Sequence, residues 1–405
     1  MTGSSFYSME KSPEGRSGGT TQAETRIYNE RLILSLIRRR GALSKVELTK
    51  LTGLSAQTIT TLVNKAADAG LLTRLEPLRG KLGQPSVPYA INPTGVHSIG
   101  LKIDRRNADL AIVDFTGKLV AFERLAFSYP TPEAVMRFAR DTIPRLLAAH
   151  PEIDTKRIAG LGIASPFQLW DWTEEIGAPP GGLTAWREVD VRAELDREFA
   201  WPVYLFNDAM VAAGAELMFG AGTGYADFIY IYVGYLIGGG LVLDHHLYPG
   251  RNKRAGAIGE MLVPAPNGSN EPMRTLIASA SLYTLANSLN GAAQRIWDTQ
   301  EDWGDLGPAL AAWIDRASGA IAHAIHFSAA VIDVDNAVID GAIPSGVRAQ
   351  LAKRVREHLS RLQSRRIEPF TVIEGAFGHF APAIGGATIP LIAGYSNDKD
   401  ILFKE

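Results

Sequence analysis

The segment from Ser44 to Gly70 constrains the fold of this chain more than any other stretch. Ser44 and Glu47 have the spacing of a capping box, in which each side chain satisfies a backbone amide at the start of a helix. That helix should end at Gly53, and Ser55 should cap a second helix that stops at Gly70. The second helix carries apolar residues at helical spacing, namely Ile59, Leu62, Val63 and Ala66. Two short helices joined by a tight turn indicate a helix-turn-helix motif.

The sequences on either side favour this interpretation over an arbitrary pair of amphipathic helices joined by glycine. Residues 28–40 predict a further amphipathic helix that ends in three arginines. Residues 71–76 and 87–91 predict two strands around a basic tip, which is typical of a winged helix. The side chains expected to contact DNA lie on the second helix and on this tip: Ser55, Gln57, Thr58, Thr60, Thr61, Asn64, Arg79 and Lys81.

The charge of the chain is unevenly distributed. From Arg26 to Lys81 there are eleven basic and four acidic residues, which is a net charge of about +7. The whole chain has a formal net charge of -2, so the remainder carries about -9. This asymmetry is the electrostatic pattern of a nucleic-acid-binding module attached to a domain with another role.

Composition excludes several other classes of protein. A chain of 405 residues should hold two or three domains, and the absence of cysteine excludes disulfides and thiolate metal sites. The longest apolar run, residues 228–243, is shorter than a membrane span and is interrupted by glycines. The first residues lack the pattern of a signal peptide. We therefore expect a disordered tail over residues 1–25, no membrane segment and a cytoplasmic location.

After a short linker, the sequence predicts an α/β region. Strands are expected at residues 99–103, 109–114, 119–127, 158–164, 203–206, 227–233, 239–243, 337–339 and 371–374. Helices are expected at residues 132–149, 189–199 and 210–219, with further alanine-rich helices after residue 278. Strand-rich and helix-rich stretches recur in two halves, which favours two lobes. The predicted domains are thus a winged helix at residues 26–92 and a two-lobed domain at residues 97–405.

Five motifs in order carry a resemblance to a known family. They read IGLKIDRRNADLAIVDFTGKLV, GLGIASP, FNDAMVAAGAE, VGYLIGGGLVLDHHLYPG and GAIGEMLV, and they follow the winged helix. This arrangement resembles the ROK family of sugar kinases and sugar-responsive repressors. The resemblance implies an α/β fold in which an N-terminal winged helix precedes a two-lobed, actin-like (ribonuclease H-like) sugar-kinase domain, with sugar bound in the cleft.

The same resemblance argues against kinase activity. ROK kinases carry a glycine-rich phosphate loop where this chain has residues 104–108, with Arg105 and Arg106 in place of glycines. The second phosphate loop, residues 234–238, and the adenosine segment, residues 340–343, also depart from the family pattern. Asp208 matches the position of the catalytic base of the family, but a base without a phosphoryl donor performs no transfer. The histidine and cysteines that bind zinc in the family are missing, so we expect no metal. Because the phosphate loops are also altered, we expect no catalytic residues and no cofactor.

The residues that bind the sugar in the family are better preserved. Asn207 and Asp208 directly follow a predicted strand, and Glu260 lies in a GAIGE segment, where the family places a carboxylate against vicinal hydroxyls. Ser165 and Trp186 are further candidates, for the floor of the cleft and for a stacking face. A purely structural alternative is that Asn207 and Asp208 cap the following helix, and the two roles are compatible.

The resemblance therefore implies a sugar-responsive transcriptional regulator, a repressor of carbohydrate uptake or catabolism genes. Its expected partners are palindromic operator DNA, a sugar or sugar derivative as effector, and further copies of the chain in a homodimer or homotetramer. One alternative is an active sugar kinase of the ROK family, phosphorylating hexoses with ATP, that carries a DNA-binding appendage. A second is a corepressor-type adaptor that is bound by another protein in place of a ligand.

Overall fold

The computed structural model describes residues 22–77, 86–171, 178–266, 270–289, 293–298, 302–362 and 370–397. The chain forms two compact units. The first comprises Met1–Phe206 and Gly386–Glu405, and the second comprises Asn207–Gly385. The predicted winged helix, residues 26–92, therefore belongs to the same compact unit as the strands that follow it.

The winged helix contains three helices and a small sheet. Its elements are α1 (Gln22–Arg40), β1 (Ala42–Ser44), α2 (Lys45–Thr52), α3 (Ala56–Asp68), β2 (Leu72–Arg74) and β3 (Pro88–Ile91). The sheet has the order β1-β3-β2 and is antiparallel. Both halves of the capping box between Ser44 and Glu47 are formed, and Gly53 ends α2 with a left-handed φ of 71°. Ser55 caps α3, and its apolar stripe is buried at Ile59, Leu62 and Val63.

A second sheet forms the centre of the rest of the first unit. Its strands are β4 (His97–Ile103), β5 (Asn107–Asp114), β6 (Leu119–Ala126), β7 (Ile158–Ser165) and β8 (Val203–Asn207), in the order β6-β5-β4-β7-β8. Helices α4 (Pro132–Ala149) and α5 (Val191–Glu198) connect them. The core is made of apolar side chains of β4, β5 and β7 together with the inner face of α4. β4 and β5 are buried along nearly their whole length, as expected for strands covered on both faces.

Helix α1 of the winged helix is attached to this sheet by a half-buried arginine. Arg38 Nη1 donates a hydrogen bond of 2.5 Å to the carbonyl of Phe115, which follows β5. The guanidinium carbon of Arg38 lies 4.6 Å from the centre of the Phe115 ring, and the edge of the Tyr395 ring packs against the same ring. Burial lowers the pKa of Arg38 to about 10, although Asp114 opposes the shift. The arginine-rich end of α1 is therefore partly a structural joint.

The second unit is built on a five-stranded mixed sheet. Its strands are β9 (Phe228–Val233), β10 (Ile237–Leu243), β11 (His246–Leu247), β14 (Asn336–Gly341) and β15 (Thr371–Glu374), in the order β11-β10-β9-β14-β15. A separate pair consists of β12 (Leu262–Pro264) and β13 (Met273–Thr275). The helices are α6 (Asp208–Phe219), α7 (Leu276–Ala280), α8 (Leu282–Ala286), α9 (Arg295–Asp298), α10 (Gly307–Ile332), α11 (Ser345–Leu362) and α12 (Ala381–Tyr395). Helix α12 crosses the sequence boundary between the two units.

Most predicted elements are present with bounds within about two residues, and α4 and β15 have the predicted bounds. Strands β1, β11, β12 and β13 were not predicted. The predicted disordered tail and the tip of the wing lie outside the described residues. Within the described part of the chain, no helix is both long and apolar enough to cross a membrane.

Candidate functional site

One face of α3 presents polar side chains to solvent. Gln57, Thr60, Thr61 and Asn64 are exposed on the face opposite the buried stripe. Asn64 Oδ1 accepts a hydrogen bond of 2.8 Å from Lys45 Nζ, so a cation of α2 lies beside this face. Helix α3 is the second helix of its helix-turn-helix motif, and the second helix of such a motif enters the major groove. The structure therefore brings these four predicted DNA contacts onto one surface.

The other predicted DNA contacts are Ser55 and Thr58, at the start of α3, and Arg79 and Lys81. Ser55 accepts a hydrogen bond of 3.1 Å from the backbone N–H of Thr58 and so caps the start of α3, and the two hydroxyls lie 2.8 Å apart. Ser55 is exposed, whereas Thr58 is half-buried. Because backbone N–H groups at a helix start favour phosphate, this end of α3 suits a contact with the DNA backbone. Arg79 and Lys81 lie outside the described residues.

Asn207 and Asp208 lie at the junction of β8 and α6. The Asn207 side chain accepts from the backbone N–H of Met210 at 3.1 Å and caps α6, as the structural alternative predicted. Asp208 Oδ1 accepts from the backbone N–H of Ala209 at 2.9 Å and from the Asn207 side-chain amide at 3.1 Å. Both residues remain half-buried.

Glycines in β10 let two segments pack closely on this strand. One is the start of α6, which carries Asp208, and the other is the turn that carries Glu260. A Cβ on Gly238 would lie 3.0 Å from the Cβ of Ala209, so α6 packs directly on the strand backbone. A Cβ on Gly239 would lie 2.6 Å from a side-chain carbon of Ile258, two residues before Glu260. Adjacent residues of a strand face opposite sides, so the start of α6 and the turn that carries Glu260 pack on opposite faces of β10. Strand β11 pairs with β10 only at its other end, among the described residues.

The Glu260 carboxylate is exposed and forms no hydrogen bond or ion pair with the described residues. It lies in a short 3-10 turn, Ile258–Glu260, whose close approach to β10 also depends on Gly259, where a Cβ would lie 2.6 Å from the carbonyl of Ile237. An unpartnered carboxylate on a fixed turn is available to accept hydrogen bonds from hydroxyl groups.

Ser165 and Trp186 belong to the first unit, and the structure places both among buried residues. Trp186 is 1% exposed, and its indole N–H donates a hydrogen bond of 2.9 Å to the carbonyl of Pro130. Its ring packs in the core, so this position does not support the predicted stacking face for a ligand. Ser165 is 5% exposed and donates to the carbonyl of Pro166 at 3.3 Å.

The segment at the first phosphate loop of the family is filled by an ion-pair network. Asp104 and Asn107 close the turn between β4 and β5, and Arg105 is 5% exposed. Lys102 Nζ lies 2.9 Å from Asp104 and 3.7 Å from Asp109. Desolvation opposes the ionised form of Asp104, but Lys102 and Arg105 outweigh it and lower its pKa to about 2. The turn is thus occupied by charged side chains of the chain itself.

The other two segments are filled as well. In the turn between β9 and β10, the Tyr235 ring contacts the rings of Tyr283 and Trp297, with centroids 6.1 Å and 5.3 Å away. At the end of β14, Asp340 is fully buried and accepts a hydrogen bond of 2.9 Å from Arg348. In the family that the sequence resembles, these two segments are the second phosphate loop and the adenosine segment.

Sequence reasoning missed the carboxylate next to Asp340. Glu216 of α6 is fully buried and accepts hydrogen bonds of 2.6 Å from the backbone N–H groups of Ala221 and Ala376. Burial, and then repulsion by Asp340, raise the pKa of Glu216 to about 7. One signal was available, since Glu216 is the only charged residue after the first position of an otherwise apolar helix. Among the described residues, no three histidine or carboxylate side chains form a metal site.

Comparison with known proteins agrees with this architecture. Residues 28–73 match a winged helix-turn-helix DNA-binding family, and residues 98–391 match the ROK family. The xylose repressor of Bacillus subtilis is 24% identical over 242 residues, which cover 60% of this chain and 62% of that protein. The match thus spans less than two thirds of the length of that relative.

Two solved structures show the fold. A ROK family transcriptional regulator, described as a homolog of the Escherichia coli MLC protein, aligns with a TM-score of 0.67 at 18% identity, covering 92% of this chain and 98% of that one. A ROK family glucokinase from Streptomyces griseus, solved with glucose and AMPPNP, aligns with a TM-score of 0.56 at 20% identity, covering 72% and 98%. The predicted sugar-kinase fold is therefore confirmed. Since the family match covers most of its length, this chain belongs to the ROK family and carries a winged helix-turn-helix ahead of the ROK domain.

Proposed function

We propose that this chain is a DNA-binding repressor that responds to a sugar. The observation that carries the proposal is the exposed polar face of α3, held in the same compact unit as the first sheet of the ROK domain. The net charge of the segment that contains this helix supports binding to DNA phosphates. The name of the Bacillus subtilis relative, a xylose repressor, supports a sugar as the effector. A homodimer on a palindromic operator would fit a helix-turn-helix protein.

The sugar would be held by Asn207, Asp208 and Glu260. The half-buried side chains of Asn207 and Asp208 and the exposed carboxylate of Glu260 provide both donors and acceptors. Adjacent hydroxyls of a sugar suit such groups, because each hydroxyl donates one hydrogen bond and accepts others. Asn207 also begins the second unit, so its position along the chain is the crossing point between the units.

A ligand regulates DNA binding only if it binds two states of the protein with different affinities. We infer that sugar bound at the start of α6 changes the relation between the units, and that operator affinity changes with it. A coupling of about 1 to 3 kcal/mol, typical of such linkage, corresponds to a change of roughly 5-fold to 150-fold in operator affinity.

We further propose that the ROK domain has no kinase activity. The charged turn at Asp104, the aromatic contacts of Tyr235 and the ion pair of Asp340 support this, because they fill segments that would otherwise approach a nucleotide. The competing kinase hypothesis rests on Asp208 at the position of a catalytic base. Incubation of the purified chain with ATP and a hexose panel should release no sugar-dependent ADP. Release that Asp208→Ala abolishes would establish the kinase instead.

The repressor proposal is tested by operator binding. A high-affinity DNA sequence is selected in vitro with the full chain, and a sugar panel that includes xylose is then screened for release of that DNA by fluorescence anisotropy. Asp208→Asn and Glu260→Gln keep side-chain size but remove the charged acceptor, so both variants should bind DNA and lose the response to sugar. Glu133→Gln, an exposed change on α4, is the matched control. A wild-type response in both site variants would contradict the site, and failure to select any specific DNA would contradict the function.

A further inference from the structure

The second unit contains an open pocket of about 500 Å³ whose lining does not include the proposed sugar residues. It lies among β13, α7, α8 and α10. Its lining residues are Pro266, Arg274, Ala278, Tyr283, Thr284, Asn287 and Arg316. Asn207, Asp208 and Glu260 are not among these residues, so the pocket is a separate feature of the described part of the unit.

Two arginines face this pocket without a carboxylate partner. Among the described residues, neither Arg274 nor Arg316 forms a salt bridge. Asp315, next to Arg316 in α10, pairs with Arg354 of α11. The Nε of Arg274 is buried and donates to no acceptor in the described residues. An unsatisfied donor on a buried charged group is costly, which is why such groups are normally paired.

The position of Arg316 is fixed by the surrounding structure. Its Nε donates to the carbonyl of Ser279 at 3.2 Å, and an Nη donates to the Thr284 hydroxyl at 3.2 Å. Burial, and then repulsion by Arg274, lower the pKa of Arg316. The two guanidinium groups are therefore close enough to repel each other, and one of them is held in place by α7 and α8. A bound anion would relieve this repulsion and satisfy the open donors.

We propose that Arg274 and Arg316 form a binding site for a phosphoryl group, either inorganic phosphate or the phosphate of a small organic ester. Guanidinium groups match the oxygens of phosphate in bidentate geometry, and two of them suit a dianion. The Thr284 hydroxyl and the Asn287 side chain, which also line the pocket, add neutral polar groups. The volume exceeds what a bare phosphate ion requires and leaves room for the carbon skeleton of an ester beside Tyr283.

The test is isothermal titration calorimetry on the full chain at constant ionic strength, with sodium chloride as the balancing salt. The probes are inorganic phosphate, a hexose 6-phosphate and the unphosphorylated hexose. We expect a phosphate-containing probe to bind and Arg274→Gln to weaken it at least about tenfold, the usual effect of losing one charged hydrogen-bond donor. Because Arg274 has no described hydrogen-bond partner, this change breaks none in the folded state. Arg137→Gln, an exposed change on α4 of the first unit, should leave binding unaltered.

Each outcome decides one question. Equal affinity for phosphate and ester identifies the free anion as the ligand, whereas tighter binding of the ester identifies an organic phosphate. Arg274→Lys retains the charge and should retain part of the affinity, which covers the case in which Arg274→Gln fails to fold. No binding by either phosphate probe, or wild-type affinity in Arg274→Gln, would overturn the proposal.

Discussion

At the scale of single residues, two carboxylates and one guanidinium share the interior of the second unit. Glu216 and Asp340 are both fully buried, and Arg348 pairs with Asp340. Burial raises the pKa of Asp340 as well, although Arg348 opposes the shift. One positive charge faces two carboxyl groups, so the pair favours taking up a proton, and Glu216, with a pKa of about 7, is the group that holds it.

This arrangement predicts a pH dependence of stability. The folded pKa of Glu216 lies above its ordinary value of 4.5, so the folded state binds more protons than the unfolded state between these two values. The stabilisation is complete below pH 4.5 and is lost as the pH rises through about 7. Urea denaturation at pH 5 to 8 should show this fall, with a slope of at most about 1.4 kcal/mol per pH unit. Glu216→Gln should reduce the slope and Glu133→Gln should not. An unchanged slope in Glu216→Gln would disprove the assignment.

Base recognition is also a property of individual side chains. Gln57→Ala and Asn64→Ala remove exposed groups from α3, so each should relax the sequence preference of DNA binding at one position, by about 1 to 3 kcal/mol. Arg79→Gln and Lys81→Gln should instead weaken binding to all sequences and reduce its salt dependence. Affinity measurements on a panel of single-base operator variants at two salt concentrations separate these effects. Uniform weakening by Gln57→Ala and Asn64→Ala would contradict their assignment to base edges.

At the scale of elements, the glycine-rich strand β10 determines where the proposed sugar residues lie. A side chain at Gly239 would lie 2.5 Å from the carbonyl of Tyr230 and 2.6 Å from Ile258, so the turn that carries Glu260 would have to move. Gly239→Ala should lower the free energy of unfolding by about 1 to 3 kcal/mol and weaken the sugar response. Gly224→Ala is the control, because a Cβ there meets nothing within 4 Å. Denaturation and operator release measure the two effects. Equal behaviour of both variants would show that the close packing is not required.

Local sequence patterns predicted those elements whose stabilisation is local or strongly periodic. Helix α4, with its Thr131 cap, Pro132 in the first turn and a regular apolar face, was predicted to the residue. Strand β1 was missed because its three residues pair with Pro88–Ile91, more than forty positions later, and carry no alternation of their own. The GAIGE segment made Glu260 a candidate, which stays a prediction, whereas the burial of Trp186 depends on the packing of several elements and could not be predicted from its neighbours.

At the scale of the whole molecule, the winged helix and the first sheet are joined through the Arg38 contact with Phe115. Arg38→Met should reduce the free energy of unfolding by about 1.5 to 3 kcal/mol, the usual contribution of a hydrogen bond to a charged group. It should also weaken the effect of sugar on operator affinity while leaving affinity without sugar nearly unchanged. Arg40→Met, an exposed change two residues further along the same arginine triplet, is the control. Calorimetry and anisotropy provide the measurements, and full sugar response in Arg38→Met would show that the joint is not part of the coupling.

The same joint limits how the protein can be recombined. A chimera in which residues up to about 92 are replaced by the DNA-binding domain of another regulator would carry a different residue at the position of Arg38. Unless the graft also brings a partner for the Phe115 carbonyl and a cover for the Phe115 ring, it would leave a buried acceptor unsatisfied and an apolar surface open to water. Operator specificity is therefore best exchanged by replacing the exposed residues of α3 alone, with α1 retained.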